Sequence, residues 1–238
     1  MASGDFLDIS QWAARTARFD VDTAADMTLA KSAVNDAYMS TCASGDPWDF
    51  LQQDGQWKTV SGSDVYTYDT IATAMSISGA TIAEIQVLTD DVNGDRLQSM
   101  SWDALESFSL STQDDSGGLP IRWAKWASRL RLHPTPDAIY TLGCFVSLAP
   151  AEMTLDADTP LIPLPWRRRL LVPYAAAILL RTEGGLEANT EAGRLMSNYD
   201  ADFVKFRTAY ATAKRPTFRV STPGWESANA VLRRGNLW

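Results

Sequence analysis

Histidine occurs once in this chain of 238 residues, at His133, and cysteine only twice, at Cys42 and Cys144. Two thiols far apart and in no metal-ligand spacing support neither a disulfide scaffold nor a zinc centre, and both read as buried thiols. Long hydrophobic runs are missing as well. The most apolar segment, Leu170 to Leu180, has 11 residues against the ~20 that a membrane span requires, so it reads as a core helix. The opening Met-Ala-Ser-Gly-Asp-Phe-Leu-Asp has no continuous apolar stretch, and Asp5 and Asp8 stand where a secretory leader carries positive charge, so no leader is expected. There is no fixed-period repeat and no glycine-rich phosphate cradle.

Basic residues are scarce in the first half. Residues 1–120 hold 5 Lys or Arg against 19 Asp or Glu, net −14; residues 121–238 hold 16 against 10, net +6. The whole is acidic at −8, unlike a histone-like binder. The split suits copies that pack side by side, acidic surface against basic, or two different partners at the two ends; an uneven solvated surface would give the same figure. What is present in excess is tryptophan, nine residues, which serves either a core or an interface. An apolar share of 45% with 21% charged is enough to bury a core.

Patterning predicts an α+β fold: a helical bundle made from the N- and C-terminal helices, an inserted antiparallel β-sheet region at about 57–148, and an extended C-terminal arm. Helices are expected over 5–18, 23–42, 166–183 and 187–213, in a body of residues 1–215 followed by an arm at 216–238. Leu29, Ala33, Val34, Ala37 and Tyr38 form the stripe of the second helix, with Asp22 and Thr23 as candidate caps. Segments Trp57–Val60, Val65–Tyr68 and Thr81–Leu88 read as strands, and Asp91-Val92-Asn93-Gly94-Asp95 as the turn of a hairpin whose second strand is Arg96–Met100. Ser101 caps a short helix through Phe108. Ile121–Trp126 and Arg129–Leu132 are strand candidates, and Ala138–Leu148 alternates with period two, the best strand in the chain. Gly184-Gly185 stops the helix that carries Leu170, Leu171, Tyr174, Ala175, Ile178 and Leu179, and the next helix buries Leu195, Tyr199, Phe203, Phe206 and Tyr210.

The order of several short motifs carries a resemblance. Val34-Asn35-Asp36-Ala37-Tyr38 is followed by Pro47-Trp48-Asp49-Phe50-Leu51, Gln56-Trp57-Lys58-Thr59-Val60 and Val65-Tyr66-Thr67-Tyr68. Then come Arg129-Leu130-Arg131-Leu132-His133-Pro134-Thr135-Pro136-Asp137, Tyr140-Thr141-Leu142, Asp156-Ala157-Asp158-Thr159-Pro160 and an Ala-rich helix. From about Ala24 to Ala213 the chain resembles the head-tail adaptor (connector) proteins of tailed bacteriophages. The resemblance implies a non-enzymatic structural protein of the virion, made in the host cytoplasm and placed at the neck between capsid and tail. Its implied partners are copies of itself in a ring of twelve, the portal protein, and a tail or head-completion protein. Double-stranded DNA passes through without specific binding; no membrane and no cofactor are implied. The alternative is a tail-associated glycan- or receptor-binding module, which the tryptophans would serve.

The arm holds the candidate contacts with the portal or a neighbouring subunit: Phe218, Arg219, Val220, Trp225, Arg233, Arg234 and Trp238. Arg and Trp dominate interfaces, and Phe218-Arg219-Val220 has the composition to add a strand to an exposed sheet edge. Arg167, Arg168 and Arg169 form a possible subunit interface, because cations at a helix start oppose the macrodipole and call for an acidic neighbour. No nucleophile motif accompanies His133 and Asp137, so no catalytic residue is assigned. Asp91, Asn93 and Asp95 mimic the start of a calcium loop, but position six is Arg96 and position twelve Trp102, so a turn is expected and no metal.

Overall fold

Asp5 opens the first helix, its carboxylate accepting the Asp8 N–H at 2.8 Å, and the N–H groups of Phe6 and Leu7 that the first turn leaves unpaired are taken up by the carbonyls of Asp158 and Asp156. The computed structural model describes residues 4–44, 48–91, 93–112 and 117–211. Helix α1 (Phe6–Thr16) buries Phe6, Ile9, Ser10, Ala13 and Ala14, one face at helical spacing. Helix α2 (Ala24–Cys42) buries Ala30, Ala33, Val34, Ala37, Tyr38 and Thr41; four of those six are alanine or valine, so neighbouring backbones come close. A turn of 3-10 helix, Asp49–Leu51, precedes β1 (Gln52–Lys58), β2 (Val65–Thr67), α3 (Tyr68–Ala74), β3 (Ala80–Asp90), β4 (Gln98–Met100) and α4 (Trp102–Thr112). Then follow β5 (Arg122–Trp126), β6 (Arg129–His133), β7 (Thr141–Pro150), α5 (Leu164–Glu183) and α6 (Leu186–Tyr210). The class is α+β.

Two compact units share these elements. The first comprises the chain up to Gln53, Ser76–Glu84, and the stretch from Val146 through α6; the second comprises Asp54–Met75 and Ile85–Phe145. In the first unit α1, α2 and α5 pack against one another in pairs and α6 lies along α5. Its core runs from Phe6 and Ile9 through Val34 and Tyr38 to Leu170, Leu171, Leu179 and Phe206. α5 starts two residues earlier than the expected 166, and Pro173 lies inside the helix, as its sequence pattern indicates. Gly184 and Gly185, at φ +80° and +90°, make the sharp turn into α6 that a Cβ would resist. An aromatic chain closes the far end: Trp48 stacks with Phe50 and packs at a tilt on Phe206, and Phe206 meets Trp166 and Tyr210.

The second unit is built on a four-stranded sheet in the order β2-β6-β5-β4. β2–β6 and β5–β6 are antiparallel, but β4 pairs with β5 in parallel, so the insert is mixed and not wholly antiparallel. The hairpin expected around Asp91–Asp95 is cut short to one antiparallel bridge, Thr89 with Arg96, flanked by backbone bonds from Asp90 to Asp95 and from Leu97 to Leu88. Asp90 explains the early stop: its carboxylate accepts from the Asn93 N–H and side-chain amide, closing a tight turn after which the chain departs to β5. A separate three-stranded sheet has the order β1-β7-β3. Its central strand β7 is buried on both faces from Leu142 to Val146, as a middle strand must be, although its sequence alternates. Helix α3, unforeseen because Val65–Tyr68 reads as strand throughout, is started by the Thr67 hydroxyl accepting the Thr70 N–H.

Both cysteines are buried and unpaired with each other. Burial pushes each thiol up to about 12, which favours the neutral form. The stabilisation from burying neutral thiols is therefore complete below the ordinary thiol value of about 8.5 and lost as pH rises toward 12. At pH 8 the native chain should resist a thiol-labelling reagent at both positions and react at both in denaturant; fast labelling of the native chain would contradict this burial.

Candidate interaction surfaces

The three consecutive arginines at the start of α5 diverge. Arg167 turns inward, donating to the Ile162 carbonyl at 2.8 Å and to the Gly4 carbonyl at 3.3 Å; burial pulls its guanidinium below the usual value. Arg168 lies over the Trp12 ring, its guanidinium carbon 3.9 Å from the centroid. Arg169 faces Asp202 of α6 at 3.8 Å. The acidic neighbour demanded by the helix dipole is thus supplied, for Arg169, from within the chain. Arg168 and Arg169 are both exposed, but Arg168 faces no acidic partner in these contacts and covers Trp12, itself 38% exposed.

The motif Val34–Tyr38 is a clasp. The Asn35 side chain donates to the Met153 carbonyl at 2.9 Å and accepts the Met153 N–H at 3.1 Å, as a neighbouring strand would, and one turn on, the Tyr38 hydroxyl accepts the Leu161 N–H. Lys31, on the same face one turn earlier, pairs with Asp156. The acidic loop with Asp156 and Asp158 is therefore folded onto α2, and the Asp158 carboxylate, held by the Leu155 and Thr154 N–H groups, sits below the usual carboxylate range. The Val34–Tyr38 motif thus fastens the exit of β7 to the helices.

Three of the nine tryptophans, Trp48, Trp57 and Trp123, are buried in the core. One that is not is Trp126, 64% exposed at the tip of the β5–β6 hairpin, between the exposed Lys125 and Arg129. Ala127 beside it adopts φ +50°, the left-handed region that a Cβ disfavours. Trp102 of α4 backs the ring at 5.7 Å, and Arg131 lies over Trp102. In the sequence Trp126 reads as an ordinary strand residue; the signal of its exposure is the Lys-Trp-Ala-Ser-Arg run, which puts cations on both sides of an aromatic in a turn.

The arm residues Phe218, Arg219, Val220, Trp225, Arg233, Arg234 and Trp238 lie outside the described residues. The described chain ends at Ala211, which forms an antiparallel bridge with Trp48. His133 packs edge-on against Phe108 at 5.3 Å, and Asp137 accepts from the Tyr140 hydroxyl. Among the described residues no group of three His, Cys, Asp or Glu is placed to hold a metal ion, and no helix is long and apolar enough to cross a membrane.

The SU10 adaptor protein family matches residues 5–226, nearly the whole chain and both units. The chain belongs to that family. It is a phage adaptor, a structural component of the virion that interacts with other virion proteins, as the resemblance to head-tail adaptors implied. The match enlarges the resemblance at both ends: it takes in α1, which the motif order had left out, and runs on to residue 226, past Phe218-Arg219-Val220 and Trp225 but short of Arg233, Arg234 and Trp238. No curated protein matches the chain.

Proposed function

We propose that copies of this adaptor assemble into a ring of twelve at the neck of the virion, bound to the portal on one side and to a tail or head-completion protein on the other, with the DNA passing through. The observation that carries this reading is the family match across residues 5–226. In the proposed ring, part of the acidic surface of residues 1–120 lines the channel, since each phosphate contact with a basic side chain would add affinity and hinder passage. The adaptor body of residues 1–215 forms the ring and the arm at 216–238 grips a partner. Electron microscopy of the chain mixed with portal-bearing capsids tests this directly: a ring on the portal vertex is expected, whereas virions whose neck lacks the polypeptide, or a ring with a basic lumen, would refute the corresponding part.

The Trp126 tip is a second partner contact in this scheme. Trp126→Ala should change stability by about 1 kcal/mol or less, as for an exposed side chain, yet reduce adaptor occupancy on particles at least tenfold, as loss of an interface hot spot does. Thermal melting together with quantification of the chain in purified particles checks both halves; unchanged occupancy would remove the tip from the interface.

A further inference from the structure

We infer that opposite sides of the helical unit carry a matched pair of contacts by which one copy binds the next. The Trp12–Arg168 seam, with Arg15, on the α1–α5 side receives the outward stripe of α2, where Leu29 stands among Asp22, Asp26 and Asp36, from a neighbouring copy. The inference rests on the ring reading and names the surfaces that would close it. Because α1, α2 and α5 pack in pairs, the α1–α5 seam and the outer side of α2 look away from each other. α2 buries Ala30, Ala33, Val34, Ala37, Tyr38 and Thr41, so at 100° per residue its outermost line passes through Ala25, Leu29, Ser32 and Asp36.

The chemistry of the two sides is complementary. On the seam, Arg15 stands one turn from Trp12 on α1 and Arg168 covers the ring, so two guanidinium groups flank an accessible aromatic surface. The one carboxylate within α1, Asp8, is turned back toward the Gly4 N–H. On α2, Leu29 is 49% exposed and its surroundings are acidic. Asp26 precedes it by one turn, Asp36 follows it by two, and Asp20 and Asp22 lie at the helix entrance. Asp20 is kept ionised by the Asp22 N–H and the Thr23 hydroxyl, which hold its carboxyl below the usual range. The one cation on α2, Lys31, pairs with Asp156. A leucine seated on a tryptophan, with carboxylates reaching arginines at the rim, has the make-up of an interface centre. Unlike faces on opposite sides make a heterologous contact, the kind that generates rings when the rotation closes.

Charge reversal tests the pairing. One chain carries Arg15→Glu with Arg168→Glu, the other Asp22→Arg with Asp36→Arg, all at exposed positions. Each is mixed with portal-bearing capsids, copies per vertex are counted by electron microscopy, and folding is verified by circular dichroism. Wild type should give a multi-copy ring. Either reversed chain alone should lose occupancy at least tenfold. The two mixed together should restore it, because each then offers an acidic seam or a basic stripe to the other, and the four changes in one chain should also restore it. Reversed chains that each assemble alone like wild type, or a folded mixture that fails to recover, overturn the pairing and leave the ring intact. Wild type bound as single copies overturns the ring reading, and this pairing with it.

Discussion

Trp48→Ala should destabilise the helical unit by about 3–5 kcal/mol, the range for truncating a large buried aromatic, read as a fall in the urea midpoint at unchanged slope. Trp48 is 1% exposed and touches Phe50, Phe203 and Phe206, with centroids 4.9–5.9 Å away. Its indole N–H donates to the Cys42 carbonyl at 3.2 Å, the last turn of α2. Alanine would leave both a cavity between the end of α2 and α6 and that carbonyl without this donor. Trp48→Phe, which keeps a ring but drops the donor, should cost about 1–2 kcal/mol. A loss below 1 kcal/mol for the alanine variant would mean that the cluster does not close this end of the unit.

Removing residues 217–238 should abolish incorporation into particles, at least a hundredfold by immunoblot of purified virions, while the remaining chain keeps its helical circular dichroism. The deleted stretch carries Arg219, Arg233 and Arg234 against Glu226, with Trp225 and Trp238, a composition suited to holding a partner and not to building a core. All the side chains of the two described cores lie before it, so the fold should survive. Normal incorporation would take the arm out of the assembly. A further truncation at residue 226, where the family match ends, then separates the shared part of the arm from Arg233, Arg234 and Trp238.

How far the sequence speaks depends on the range of the interaction. The apolar stripes of α2 and α5, the Gly184-Gly185 stop and the alternation of β7 are local, and the α+β class follows from their order. Partners distant in the chain do not announce themselves. The parallel pairing of β4 with β5 is a choice of neighbour that no period encodes, whereas the acidic turn after Asp90 has a composition that announces the turn-back but not how soon its ladder stops. Burial of β7 on both faces reflects its central place, which alternation alone cannot reveal. The site residues divide in the same way. A run of three arginines is visible in sequence, but its separation into one buried against Gly4, one stacked on Trp12 and one facing Asp202 depends on residues tens to more than 150 positions away.

The bridge between Ala211 and Trp48 ties the end of α6 to the aromatic cluster. Any pull at Ala211 is passed to Trp48 and, through its ring contact, to Phe206, so those rings must be prised apart before α6 can peel away from α5.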